Sequence, residues 1–179
     1  GLMQLIPTTA AQAAKESGLD IEGKDSSRPD INIALGAYYL GKLLRTFDGT
    51  IPIALASYNV GFGHLEDARR LTEGAGRDPD RWMDVKEFLP LLAEKEWYTK
   101  TRFGYARGHE PVIYVQNIRR YYDVLARLNQ PGIPATEAEE QIVQMEESRA
   151  PESPSGGLQT DGKLRAGLPA ELGMIPPTL

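Results

Sequence analysis

The stretch from Ile51 to Gly61 reads IPIALASYNVG, and the fold class turns on it. Its first part, Ile51 to Tyr58, is short and apolar enough to be a buried helix or a buried strand. Pro52 suits the first turn of a helix, and Ala54 and Ala56 favour helix over a pleated sheet. Gly61 and Gly63 then break the chain before a charged amphipathic segment, His64 to Glu73. With this stretch read as helix, no convincing strand alternation is left anywhere in the chain.

Working outward, the helical period recurs on both sides. Ile31 to Phe47 carries Ile31, Leu35, Tyr38, Tyr39 and Leu43 at three- and four-residue steps, with Asp30 placed to cap it and Asp48-Gly49 to end it. Thr8 to Ser17 is Ala-rich between Pro7, an entry signal, and Gly18, a stop. Arg81 to Leu92, around Pro90, reads as one or two short helices. Pro111 to Leu128 is strongly periodic, and Val112, Val115, Ile118, Tyr122 and Leu125 define its inward stripe. The chain is expected to be all-α.

Charge divides the chain in two. The 179 residues hold 20 Lys+Arg and 25 Asp+Glu, for a net charge of -5. Residues 1–128 carry 17 basic and 17 acidic side chains; residues 129–179 carry three and eight, which is the whole excess. That second stretch also holds seven of the 13 prolines and no aromatic residue. It cannot bury enough apolar surface to offset its ordering entropy, so a disordered acidic tail is expected at 129–179, with one short helix at Glu137–Glu147. The folded domain is expected at residues 1–128. A neutral domain with an acidic tail lacks the basic field of a nucleic-acid binder. No apolar run approaches the ~20 residues of a membrane span. The absence of Cys excludes disulfides, a thiol nucleophile and Cys-based metal sites. The chain opens on Gly1 rather than Met and carries no signal peptide, which reads as a fragment or a processed product.

Three segments hold residue types that packing alone does not demand. They are Gly1-Leu2-Met3-Gln4, then Ala56-Ser57-Tyr58-Asn59-Val60-Gly61, then Glu110 to Ile118 with Tyr114-Val115 at its centre. Each has a bland explanation when taken alone. Gln4 can be an exposed polar residue, Asn59 a left-handed helix end, and Tyr114 a core aromatic with its hydroxyl at the surface.

Together and in this order they resemble the soluble lytic transglycosylase (SLT) domain family, with its goose-lysozyme-like fold. The family's pattern is a Glu-Ser pair, then G-L-M-Q, then A-Y-N-x-G, then Tyr-Val on a C-terminal helix. Ser57 stands where the family more often has Ala. Asp67-Ala68-Arg69, Trp82 to Lys86, Leu89 to Leu92 and Tyr105 to Gly108 are similar to the F branch of its membrane-bound members. The resemblance implies peptidoglycan glycan strands as partner and a periplasmic or outer-membrane setting. It implies cleavage of the MurNAc-GlcNAc β-1,4 bond with closure of a 1,6-anhydromuramoyl ring. One glutamate with a raised pKa serves as acid and then base. Neither cofactor nor metal is implied, and the chain is expected to be a monomer.

Carried over residue by residue, the resemblance places Gly1, Leu2, Met3, Gln4, Tyr58, Asn59 and Gly61 along the sugar groove. Tyr114 is expected to hydrogen-bond the acid/base glutamate, and Glu110, four residues earlier on the same face, to support it; a favourable charge near a helix N-terminus is an equal reading of Glu110. The family's glutamate precedes G-L-M-Q, so it is expected upstream of Gly1, and this chain is expected to be inactive alone. Glu16-Ser17 lies downstream and reads as an exposed helix end. Two other readings stand beside the lyase: a goose-type lysozyme-like hydrolase, and a non-catalytic module binding peptidoglycan or chito-oligosaccharides. His64 and His109 lack companions for a metal site, and His64 with Asp67 reads as a surface pair. Glu94 and Glu96 read as a solvated face beside the partly buried Trp97 and Tyr98. Arg102, Arg107, Arg119 and Arg120 suit peptide-stem carboxylates but are balanced by acids.

Overall fold

Prolines and glycines mark where the helices start and stop. In the computed structural model, which describes residues 1–21 and 25–128, α1 (Pro7–Ser17) opens on Pro7. A missing N–H costs nothing in a first turn. Gly18 closes α1 in the left-handed conformation at φ 71°. Pro29 opens α2 (Pro29–Thr46) and Pro52 lies in the first turn of α3 (Ile51–Val60). Asp30 is therefore not the cap of α2: Arg28 holds that position, and Asp30 sits inside the first turn, where its charge suits the helix dipole. Gly61 ends α3 at φ 91°, ψ 147°, a backbone region nearly closed to other residues.

α4 (Phe62–Gly74) starts at once after Gly61, so Gly63 lies within its first turn and does not break the chain. α5 (Trp82–Phe88) runs into a 3-10 turn at Leu89–Ala93 that carries Pro90. The short α6 (Lys95–Tyr98) buries Trp97, and a stretch without regular structure leads to α7 (His109–Leu128). Among the described residues there is no strand, and the domain is all-α. No described helix is long and apolar enough to cross a membrane. The expected helix at 137–147 and the acidic tail lie outside the described residues.

Two clusters make the core. The larger gathers Leu43, Ile53, Leu65, Leu71, Val85, Phe88, Leu89, Leu92, Trp97 and Val115 among others. At its centre is α3, which packs against α2, α4 and α7. The smaller joins Ala10, Ala13 and Ala14 of α1 to Ile31 and Leu35 of α2. Alanine on the inward face of α1 lets the two helices approach closely.

The inward stripe of α7 is covered only over its first half. Val115 is buried, but Tyr122 and Leu125 are 70 % and 56 % exposed. The reason is length. At ~1.5 Å per residue the ten-residue α3 spans ~15 Å and the twenty-residue α7 ~30 Å, so α7 overhangs its partner.

Candidate active site

The segment before α1 is a turn held down by two helices. Gln4 N–H donates to the Gly1 carbonyl at 3.0 Å, and Gln4 itself sits at φ 50°, a conformation costly for a residue with a side chain. Both backbone polar groups of Met3 are taken by side chains. Its N–H donates to Asn32 Oδ1 of α2 at 2.6 Å, and its carbonyl accepts from the Tyr58 hydroxyl of α3 at 2.8 Å. Asn32 is buried and is oriented by its own Nδ2, which donates to the Ser26 carbonyl at 3.0 Å. Gly36 leaves room for Met3: a Cβ there would come within 2.5 Å of the Met3 side chain. A Cβ on Gly1 would likewise meet the Asn32 side chain at 2.5 Å.

Three half-buried tyrosines gather next to this turn. The rings of Tyr39 and Tyr58 lie 5.6 Å apart and tilted by 50°. The Tyr58 hydroxyl is pushed up to about 12, first by burial and then by the neighbouring Tyr114 and Tyr39. Burial also raises Tyr114. It raises Tyr39 as well, with Lys42 opposing. At neutral pH all three are therefore neutral hydroxyls, able to donate one hydrogen bond and accept others. Asn59 and Gln4 are exposed beside them, and Met3 is half-buried. Neutral donors and acceptors, an adaptable thioether and aromatic faces suit an uncharged polar ligand such as a sugar.

The carboxylates are placed differently. Glu110 is exposed in the first turn of α7 and pairs with Arg107 at 3.1 Å. Glu16 accepts from Lys42 Nζ and Gln12 Nε2, each at 2.8 Å, which holds its carboxyl below the usual carboxylate range. A general acid needs the opposite displacement. Two buried carboxylates, Asp67 and Asp84, serve as anchors. Asp84 pairs with Arg77 at 3.1 Å. Asp67 is only 2 % exposed and accepts the backbone N–H groups of Arg102 and Phe103 at 3.1 and 2.8 Å. The expected surface pair of His64 and Asp67 is thus corrected: Asp67 points inward to the loop before α7, while His64 packs edge-on against Phe103. Among the described residues no cluster of three or more His, Cys, Asp or Glu is arranged to hold a metal ion.

The fold thus brings Gly1 to Gln4, Tyr58 and Tyr114 together, with Asn59 and Gly61 at the adjoining helix end. It keeps the Glu110 carboxylate turned to Arg107. Asn32 and Gly36 carry no motif signal in the sequence, and Tyr39 reads there only as part of the apolar stripe of residues 31–47. The available signal was a polar residue, Asn32, next to Ile31 on the inward face of an otherwise apolar stripe.

With this geometry in view, residues 1–80 match the transglycosylase SLT domain family. Three similar proteins share one name. A membrane-bound lytic murein transglycosylase F of Marinobacter nauticus is 57 % identical across all of this chain and 35 % of its own length. Proteins of the same name from Hahella chejuensis and Ectopseudomonas mendocina are 44 % and 47 % identical, over 100 % and 78 % of this chain and 33 % and 28 % of their own. The chain therefore spans about a third of the length of these relatives.

Proposed function

We propose that this chain forms the glycan-binding groove of a peptidoglycan lytic transglycosylase. The observation that carries this reading is the Tyr58 hydroxyl on the Met3 carbonyl, with Tyr114 beside Tyr58. That contact joins the motif turn at residues 1–4 to the motif at the end of α3 and to the motif helix α7. In this reading Met3 is an apolar wall, and Gln4 and Asn59 present amides to the acetamido groups of the sugars. Gly61 lets the backbone turn away and leave the groove open. Tyr58 fixes the Met3 turn, and Tyr114 offers its hydroxyl to the acid/base glutamate.

The reaction proposed is cleavage of the MurNAc-GlcNAc β-1,4 bond. A glutamic acid gives its proton to the glycosidic oxygen as the C–O bond breaks. The C6 hydroxyl of the muramoyl unit then closes on C1, and its proton returns to the carboxylate, so no water is consumed. The glutamate is assigned to a segment outside this sequence. Four carboxylates of the described residues are otherwise engaged: Asp67 and Asp84 serve as anchors, Glu16 is ion-paired on the surface, and Glu110 is exposed against Arg107. A periplasmic or outer-membrane setting is proposed with the substrate.

The test is to place a segment carrying the family's Glu-Ser pair ahead of Gly1 and to incubate the product with sacculi. Muropeptides with 1,6-anhydro ends are expected, and their release should vanish when that glutamate is changed to Gln. Reducing ends would point to a hydrolase. Binding without either product would leave a glycan-binding module.

A further inference from the structure

The last helix carries its apolar stripe on past the elements that cover it. α7 packs on α3 and on the 3-10 turn, and its Pro111 and Val115 are buried. Farther along, every residue from Arg119 to Arg127 is exposed except Val124. Ile118, Tyr121, Tyr122, Leu125 and Leu128 nevertheless recur at three- and four-residue steps, which sets these apolar groups on one face. Tyr121, Tyr122 and Leu125 among them stand open to water. A helix draws most of its stability from burying its apolar face, and among the described residues nothing buries this one.

The sequence after α7 supplies a matching segment. Residues 137–147 read EAEEQIVQMEE, and Thr136 with Glu139 makes the pattern of a capping box just at their start. Ala138, Ile142 and Met145 recur at steps of four and then three, the spacing of Ile118, Tyr122 and Leu125. At ~1.5 Å per residue, a helix over 137–147 and the open end of α7 at 118–128 are each ~16 Å long. Residues 129–135 join the two and include Pro131-Gly132, a link of the length that connects neighbouring antiparallel helices. Charge agrees with the pairing. α7 carries Arg119, Arg120 and Arg127 against Glu110 and Asp123, whereas residues 129–150 carry five Glu against Arg149 alone. Laid antiparallel with Ile142 on Tyr122, the segment brings Glu146 to Arg119, which flanks the stripe. Such a segment has too little apolar surface to fold by itself, and the face of α7 supplies what it lacks.

We propose that the second half of α7 is a docking face for this chain's own residues 137–147, which fold back on it as an antiparallel helix. Ala138 then lies over Leu125, Ile142 over Tyr122 and Met145 over Ile118. The contact stands whether or not the groove binds glycans.

The sequence has no Cys, so Ser148→Cys gives the full chain a single site for a nitroxide spin label. The antiparallel register sets residue 148 beside residues 114–118, and the label should broaden their amide signals. Ile142→Asp in the segment, or Tyr122→Asp on α7, should each abolish that broadening and speed amide exchange over residues 119–126 about tenfold. Both positions lie off the main core, and unchanged signals from Leu65, Phe88 and Leu92 show that each variant is folded. Spin-labelled chain mixed with isotope-labelled chain separates folding back from pairing of two molecules. Broadening within one molecule that is lost in both variants supports the proposal. Broadening confined to residues 125–128, broadening that survives both substitutions, or broadening that passes between two molecules would overturn it.

Discussion

The two walls of the proposed groove rest on cores of different quality. Gly1 to Gln4 lie on the α1–α2 pair, whose cluster is Ala10, Ala13 and Ala14 against Ile31 and Leu35. Tyr58, Tyr114 and the loop before α7 rest on the larger cluster, where Phe88, Leu65, Leu89 and Leu92 are wholly buried. Alanine buries few carbon atoms, so the first wall gains much less from burial and dispersion than the second. It relies on directed contacts instead: Asn32 and Tyr58 on the Met3 backbone, and Gly36 beneath its side chain. Packing makes one side of the proposed groove firm, and a few hydrogen bonds set the shape of the other.

That contrast can be broken by mutation. Phe88→Ala opens a cavity in the large cluster and should cost about 3–5 kcal/mol, unfolding both walls together in a denaturant titration. Gly36→Ala forces Met3 from its seat and should cost about 1–3 kcal/mol. Its effect should concentrate in residues 1–6 and α1, seen as faster amide exchange there with residues 99–108 unchanged. Equal loss of protection on both sides would mean that the two walls form one unit.

Tyr58→Phe removes one hydrogen bond between the walls and should cost about 1 kcal/mol at neutral pH. Its sharper signature is at high pH. The folded Tyr58 is pushed up to about 12, above its unfolded value near 10, so its contribution is whole below pH ~10 and is lost as pH climbs through the folded value. Native stability should therefore fall between pH ~10 and ~12, and part of that fall should be missing in Tyr58→Phe. Identical alkaline profiles for the two proteins would contradict the role given to this hydroxyl.

Local signals made most of the helices legible in the sequence. Pro7, Pro52 and Gly61 carry boundary information in their own backbone chemistry, and the inward faces of α1 and α2 follow from spacing. Contacts between distant residues were not legible. Asn32 matters because Met3, 29 positions away, needs a partner for its N–H. Asp67 looked like a surface residue because the amides it accepts lie 35 and 36 positions later. Tyr122 and Leu125 continue a periodic stripe, and periodicity names a face without saying what covers it. Asp30 lost the capping position because Pro29, just before it, is the better start for a first turn.

In the proposed function this chain contributes a glycan-binding groove, and the acid/base glutamate is supplied by another segment. The direct measurement is to incubate the purified 179-residue chain with peptidoglycan sacculi, then assay co-sedimentation and analyse the soluble products. The account predicts that the chain sediments with the sacculi and releases no anhydromuropeptides. Release of anhydromuropeptides by this chain alone, or failure to sediment, would contradict it.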